Sequence, residues 1–128
     1  MAFESDGIDL GVFTAGADLS SRQFYFMKLV SATEVSVCSA ITDVVIGVLQ
    51  NNPATGGQAI VRVFGLSKIS ANESLSYGHV IGTSSDGQAS RVTLGSSTTV
   101  HVCGQAVEAA STGDVITAFI NITSGRGA

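Results

Sequence analysis

The chain has 128 residues, 45% of them hydrophobic and 12% charged, with ten acidic residues, six basic residues and a net charge of −4. That length suffices for one domain and one core and is short for two. The basic residues are scattered, which argues against a nucleic-acid or anionic-membrane partner, since either needs several Lys or Arg on one surface.

The charged share is about half that of an ordinary soluble domain. A surface built from Ser, Thr, Asn, Gly and Ala is easiest to explain if other subunits cover much of it. Composition therefore points to an oligomer or assembly component.

In chain order, residues 1–11 carry Glu4, Asp6 and Asp9 and few core residues. They read as a flexible arm, ordered only where something holds it. Phe3 and Ile8 are its candidate anchors on a neighbour, with Phe13 just beyond as a third candidate contact. The acids stand where a secretory signal would be basic, so no signal peptide is read. No apolar run reaches transmembrane length.

Residues 12–21 (VFTAGADLSS) form a turn-rich entry, with Asp18 or Ser20 as a cap for a short helical turn. Residues 23–30 (QFYFMKLV) are the most aromatic stretch. On a strand, Phe24, Phe26 and Lys28 face one side and Tyr25, Met27 and Leu29 the other. Both faces are largely apolar, so protein is expected on both sides, as core or subunit interface rather than as a ligand platform. After a turn, residues 34–39 alternate and supply a hairpin partner.

Residues 43–65 (DVVIGVLQNNPATGGQAIVRVFG) read as strand, turn and strand around the chain's one proline, Pro53. Gly47 precedes Thr55-Gly56 here as Gly104 precedes Thr112-Gly113 further on. Each spacing ends in a β-rich run. These are two similar β-units, and a duplication would account for them. Residues 66–69 continue the first unit past a kink at Gly65. Next come a polar loop at 70–78, a short strand at 77–82 and the hairpin signal Asp86-Gly87. A returning strand follows at 90–94, with Val92 and Leu94 on one face. Residues 98–107 are β-rich, 108–114 form the second unit's loop, 115–122 the last strand and 123–128 a Gly-rich tail. No segment keeps a helical period. The expected architecture is all-β: one small barrel- or sandwich-like domain of hairpins over residues 12–122, between the arm and the tail.

The search for chemistry finds little. The only lysines, Lys28 and Lys68, lie outside any Gly-Lys-Ser/Thr motif. His79 and His101 have no ligand neighbours, although His101 and Cys103 would share a strand face. A half-buried histidine is the better reading. Cys38 and Cys103 sit in apolar runs and read as buried thiols. No Gly-x-Ser-x-Gly elbow is present, and no two acids are singled out as a pair. Asn72-Glu73-Ser74 and Asn121-Ile122-Thr123 match the glycosylation pattern by chance unless the chain is secreted. No catalytic residue, metal or cofactor is assigned, and the chain is not read as an enzyme.

One resemblance covers residues 13–120. The entry FTAGADLS (13–20), the aromatic run YFMKL (25–29), the segment IGVLQN (46–51) with Pro53, Gly56, Val61, Val63 and Gly65, and the closing pieces 104–110 and 113–116 follow one another in this order. In that order they resemble the small β-rich head proteins of tailed bacteriophages that decorate or cement the capsid. The resemblance implies a barrel-like fold, a trimer or other small oligomer, contact with the major capsid protein, and a place on the exterior of the virion head after synthesis in the host cytoplasm. It brings no catalytic residues. A protein that binds the assembled shell but not the free subunit stabilises the shell by mass action, and an oligomer multiplies each modest contact. The competing reading is a head-displayed module that binds host glycans through the loops at 72–78 and 83–87. The absence of Trp and the presence of only two Tyr count against it, because sugars stack on aromatic faces.

Overall fold

Among the described residues, nine strands are joined edge to edge and curl into two rings that share their longest strand. The computed structural model describes residues 5–96 and 99–122, and among them there is no helix. The strands are β1 (Ser5–Ala15), β2 (Phe26–Leu29), β3 (Glu34–Val37), β4 (Val45–Leu49), β5 (Gln58–Ser70), β6 (Val80–Thr83), β7 (Ala89–Arg91), β8 (Gly104–Ala106) and β9 (Val115–Asn121). Ring one runs β1-β3-β2-β4-β5 and closes because β5 also pairs with β1. Ring two runs β5-β9-β8-β6-β7, and a parallel bridge from Ala71 to Ala89 brings its ends together. The fold is all-β, and ring one is a closed five-stranded barrel.

The two rings are built to one plan. Met27 opposite Val37 in ring one corresponds to Ile81 opposite Arg91 in ring two. In the same way Met27–Gly47 corresponds to Ile81–Gly104, and Leu49–Val61 to Ala106–Ala118. Phe13–Ala59 corresponds to Ile69–Ile116. The loops follow suit. The Gly56 amide donates to the Ala15 carbonyl, as the Gly113 amide donates to Ala71, both at 2.8 Å. Both glycines have positive φ, 82° and 87°, a conformation open to Gly at little cost. The two expected β-units are thus parts of a longer repeat, in which β5 ends one copy and begins the next.

The cores show the same correspondence. Phe13, Ala15, Leu19, Met27, Val35, Leu49, Ala59 and Val61 fill ring one. Their counterparts Ile69, Ala71, Leu75, Ile81, Ala89, Ala106, Ile116 and Ala118 fill ring two. The second core also takes in Phe26, Cys38, Val45 and Val48 from the outer side of ring one. This explains the double-faced aromatic strand. Met27 points into ring one and Phe26 into ring two, and each is fully buried. The protein covering both faces is the same chain.

Several expectations need correction. Residues 5–11, read as an arm, pair with β5 as the first part of β1, with Ile8 opposite Phe64 and Leu10 opposite Val61. The sequence offered no alternation there because the pairing is interrupted by register shifts. Residues 1–4 and 123–128 lie outside the described residues. No helical turn follows Asp18, whose carboxylate instead accepts the Ser20 amide at 3.1 Å. The Asp86-Gly87 hairpin forms between β6 and β7, but only Gly87 of the pair has positive φ and the connection spans residues 84–88. Strand β7 stops at Arg91, so Val92 is buried while Leu94 is 61% exposed. The continuation expected past Gly65 does form: Gly65 lies inside β5 with φ 113°, and residues 66–69 belong to the same strand.

Gly47 and Gly104 hold equivalent places opposite the partner strands of their hairpins. A Cβ on Gly104, where φ is 152°, would meet the carbonyl oxygen of Phe119, and one on Gly47 would meet that of Arg62. Gly104→Ala is expected to cost about 3 kcal/mol, measured by urea unfolding. An unchanged midpoint would contradict this close approach.

Candidate functional site

Polar side chains in this molecule mostly tie loops down. The Asp9 carboxylate pairs with the Arg62 guanidinium at 2.7 Å. The Asp43 carboxylate accepts the amides of Ser39 and Ala40 at 2.8 and 3.0 Å and lies 3.3 Å from the Lys28 ammonium. Glu73 accepts the Ser90 hydroxyl, Glu108 the Thr117 amide and Asp114 the Ser111 amide. Asp86 accepts the Ser84 hydroxyl. Asp9 is thus spent on Arg62 of β5, and the other carboxylates on hydroxyl, amide or ammonium groups of nearby loops and strands.

The thiols and imidazoles sit apart from one another chemically. Burial pushes the Cys38 thiol up to about 12, and burial raises Cys103 as well. Neither is a ready nucleophile. The Cys103 thiol donates to the backbone carbonyl of His101, not to its ring. His101 is buried, rather than half-buried as expected, and among the described residues neither of its ring nitrogens has a hydrogen-bond partner. Nδ1 of the half-buried His79 accepts the Ser76 amide at 3.1 Å. Among the described residues, no three His, Cys, Asp or Glu side chains are grouped to hold a metal ion.

What the surface does present is apolar area. On the outer side of the sheet, Ile8 is 57% exposed and lies directly opposite Phe64, itself 43% exposed. The Phe64 ring meets Phe119 edge to face, with centroids 5.4 Å apart. Beyond Phe119 lies a shallow cavity of about 260 Å³ lined by Val80, Val102 and Gln105. A second groove, of about 340 Å³, opens between Gly78, Val80, Arg91 and Leu94. Tyr77, 79% exposed, neighbours that groove in sequence. The adjoining side chains of Ile8, Phe64 and Phe119 are apolar surface of the kind that marks sites of protein contact.

The three residues expected to touch a partner fall in three different places. Ile8 is on the exposed patch. Phe13 is 7% exposed and packs inside ring one, so it has no face for a partner. Phe3 lies outside the described residues. Phe64 and Phe119, which adjoin Ile8 on this patch, read in the sequence as ordinary core strand. Of the loops considered for glycans, 83–87 is largely occupied: Thr83 and Ser84 are buried, and the Gly87 carbonyl accepts the Phe26 amide at 2.7 Å.

No protein-family model matches the chain, and no curated protein does. Among solved structures, it is similar to the N base of head fiber gp8.5 of bacteriophage phi29. The TM-score is 0.66 and the identity 18%, over 91% of this chain and 96% of that one. The likeness is one of fold, and it takes in both rings.

Burial works against the ionised form of Asp43, but the Ser39 and Ala40 amides and the Lys28 ammonium outweigh it and hold the carboxyl below its ordinary 3.8. A lowered folded-state value stabilises the fold above the unfolded value, and that stability disappears as pH falls through the folded one. Asp43→Ala is expected to lose about 1–2 kcal/mol at pH 7. The gap to wild type should close as the pH drops below 3.8. Thermal unfolding across the acid range checks this, and a gap constant with pH would contradict it.

Proposed function

We propose that this chain is a structural protein of a bacteriophage head that binds the outer surface of the assembled capsid as a small homo-oligomer. There it cements contacts between major capsid protein subunits. The observation that carries the reading is the fold likeness to the base of a phage head fiber over nearly the whole of both chains. The ordered sequence pieces at 13–20, 25–29, 46–51, 104–110 and 113–116 support it independently. So do the low charge and the uncovered apolar residues. The trimer is the preferred oligomer, and no catalytic role is assigned.

In physical terms the protein adds interface area across the joints of a shell. Its contribution is repeated at every site and multiplied by the number of chains in each oligomer. The patch of Ile8, Phe64 and Phe119 is the proposed contact with the shell. It joins the one expected contact residue found on the surface to the aromatic pair beside it.

Light scattering on purified protein should give a stable oligomer, which should co-pellet with expanded empty heads. Ile8→Asp with Phe64→Asp should weaken binding to heads by about tenfold or more while leaving far-UV circular dichroism unchanged. Wild-type protein that stays in the supernatant would overturn the proposal. Binding to a glycan array without binding to heads would favour the glycan module instead.

A further inference from the structure

Within the chain, ring two covers the outer side of ring one. The β6–β7 hairpin tip, residues 83–88, enters a groove on ring one. Its Gly87 carbonyl accepts the Phe26 amide at 2.7 Å. A Cβ on Gly87 would meet Val37, Tyr25 and the Cys38 carbonyl, so the seat is tight. Beside the tip, Phe26, Val45 and Val48 are sealed into the second core.

The repeat supplies a counterpart for every part of this contact, and among the described residues no backbone hydrogen bond joins the counterpart tip to the counterpart groove. The strand pairs that equate β2 with β6 and β3 with β7 equate tip 83–88 with residues 29–34. They equate the groove residues Phe24, Phe26, Val37 and Cys38 with Gly78, Val80, Arg91 and Val92. On ring two these counterparts line the open groove of about 340 Å³. The counterpart of sealed Phe26 is half-buried Val80, which also lines the adjoining cavity. At the tip, the counterparts of Thr83 and Ser84, exposed 1% and 5%, are Leu29 and Val30, exposed 49% and 51%. Ring one thus has an apolar tip with no groove, and ring two has a matching groove with no tip.

We propose that a second copy of this chain fills that groove. Residues 29–34 of one copy seat between Gly78, Val80, Arg91 and Leu94 of the next, repeating between chains the contact that joins the rings within each. Charge supports the pairing. Within the chain Val37 abuts the tip at Gly87. The counterparts are Arg91 and Thr33, so Arg91 meets the tip beside Glu34. The Thr33 carbonyl already accepts the Thr14 amide at 2.9 Å, and a carbonyl oxygen has a second lone pair for Val80. The contact is head to tail, so it closes into a ring of chains or continues as a filament. It rests on the oligomer part of the reading above and not on capsid binding.

Three variants test it by sedimentation, with head pelleting run alongside. Val30→Asp should convert the oligomer to a monomer while far-UV circular dichroism and thermal midpoint stay as in wild type. Arg91→Glu should weaken association by about tenfold, and Arg91→Glu with Glu34→Lys should restore it. An oligomer indifferent to Val30→Asp and Arg91→Glu would overturn this contact and leave the oligomer reading standing. A wild-type monomer that still pellets with heads would overturn the contact and leave the head-surface reading. A groove opened only by deleting residues 123–128 would put the chain's own end there and also overturn it.

Discussion

The seam between the rings rests on two backbone hydrogen bonds made by the Phe24–Phe26 segment. The Ser70 amide donates to the Phe24 carbonyl at 3.0 Å, and the Phe26 amide donates to Gly87 at 2.7 Å. These bonds place the start of β2 between the ends of β5 and β7. Ring two is therefore held together by ring one as well as by its own bridge from Ala71 to Ala89. Phe24 is the one non-glycine described residue with positive φ, 68°. Such a conformation costs about 1–3 kcal/mol and persists only where its surroundings over-determine it. Here the Phe24 amide donates to the Leu49 carbonyl, its own carbonyl accepts Ser70, and its ring lies 5.6 Å from the Lys68 ammonium and packs on the second core. Gly87 is required at the other side of the same seam because any side chain there would strike Val37.

Seen from this seam, the sparse charge of the chain has a local explanation. A repeat folded onto itself buries one outer face, so β2 and β4 need apolar residues on both sides. Phe26 with Met27, and Val48 with Leu49, meet that need. The polar groups that remain are used to fasten loops: Asp43 on Ser39 and Ala40, Asp114 on Ser111, Glu108 on Thr117.

Much of this was legible in the sequence where local chemistry decides the outcome. The hairpin at 43–65, the pairing of 34–39 with the aromatic strand and the recurrence of Gly47 and Gly104 all follow from turn residues and alternation. What was hidden depends on long-range pairing. Nothing local in residues 5–11 announces that they run along β5, since register shifts break the alternation. Phe13 resembled a surface anchor because it borders the arm, yet its partner Ala59 carries it into ring one. The exposed aromatic patch escaped notice because Phe64 and Phe119 are far apart in sequence and meet only through the pairing of β5 with β9. The full extent of the repeat was hidden too. Few residues are shared between its halves, and it is the order of hydrogen-bonded partners, not identity, that is kept.

The central claim is that this two-ring unit sits on the outside of an assembled phage head. The most direct measurement is a cryo-electron microscopy difference map between expanded heads with and without the purified protein. The account predicts added density on the outer surface, at the joints between capsid subunits, into which the two rings fit. Heads whose outer surface is unchanged at saturating protein would contradict it.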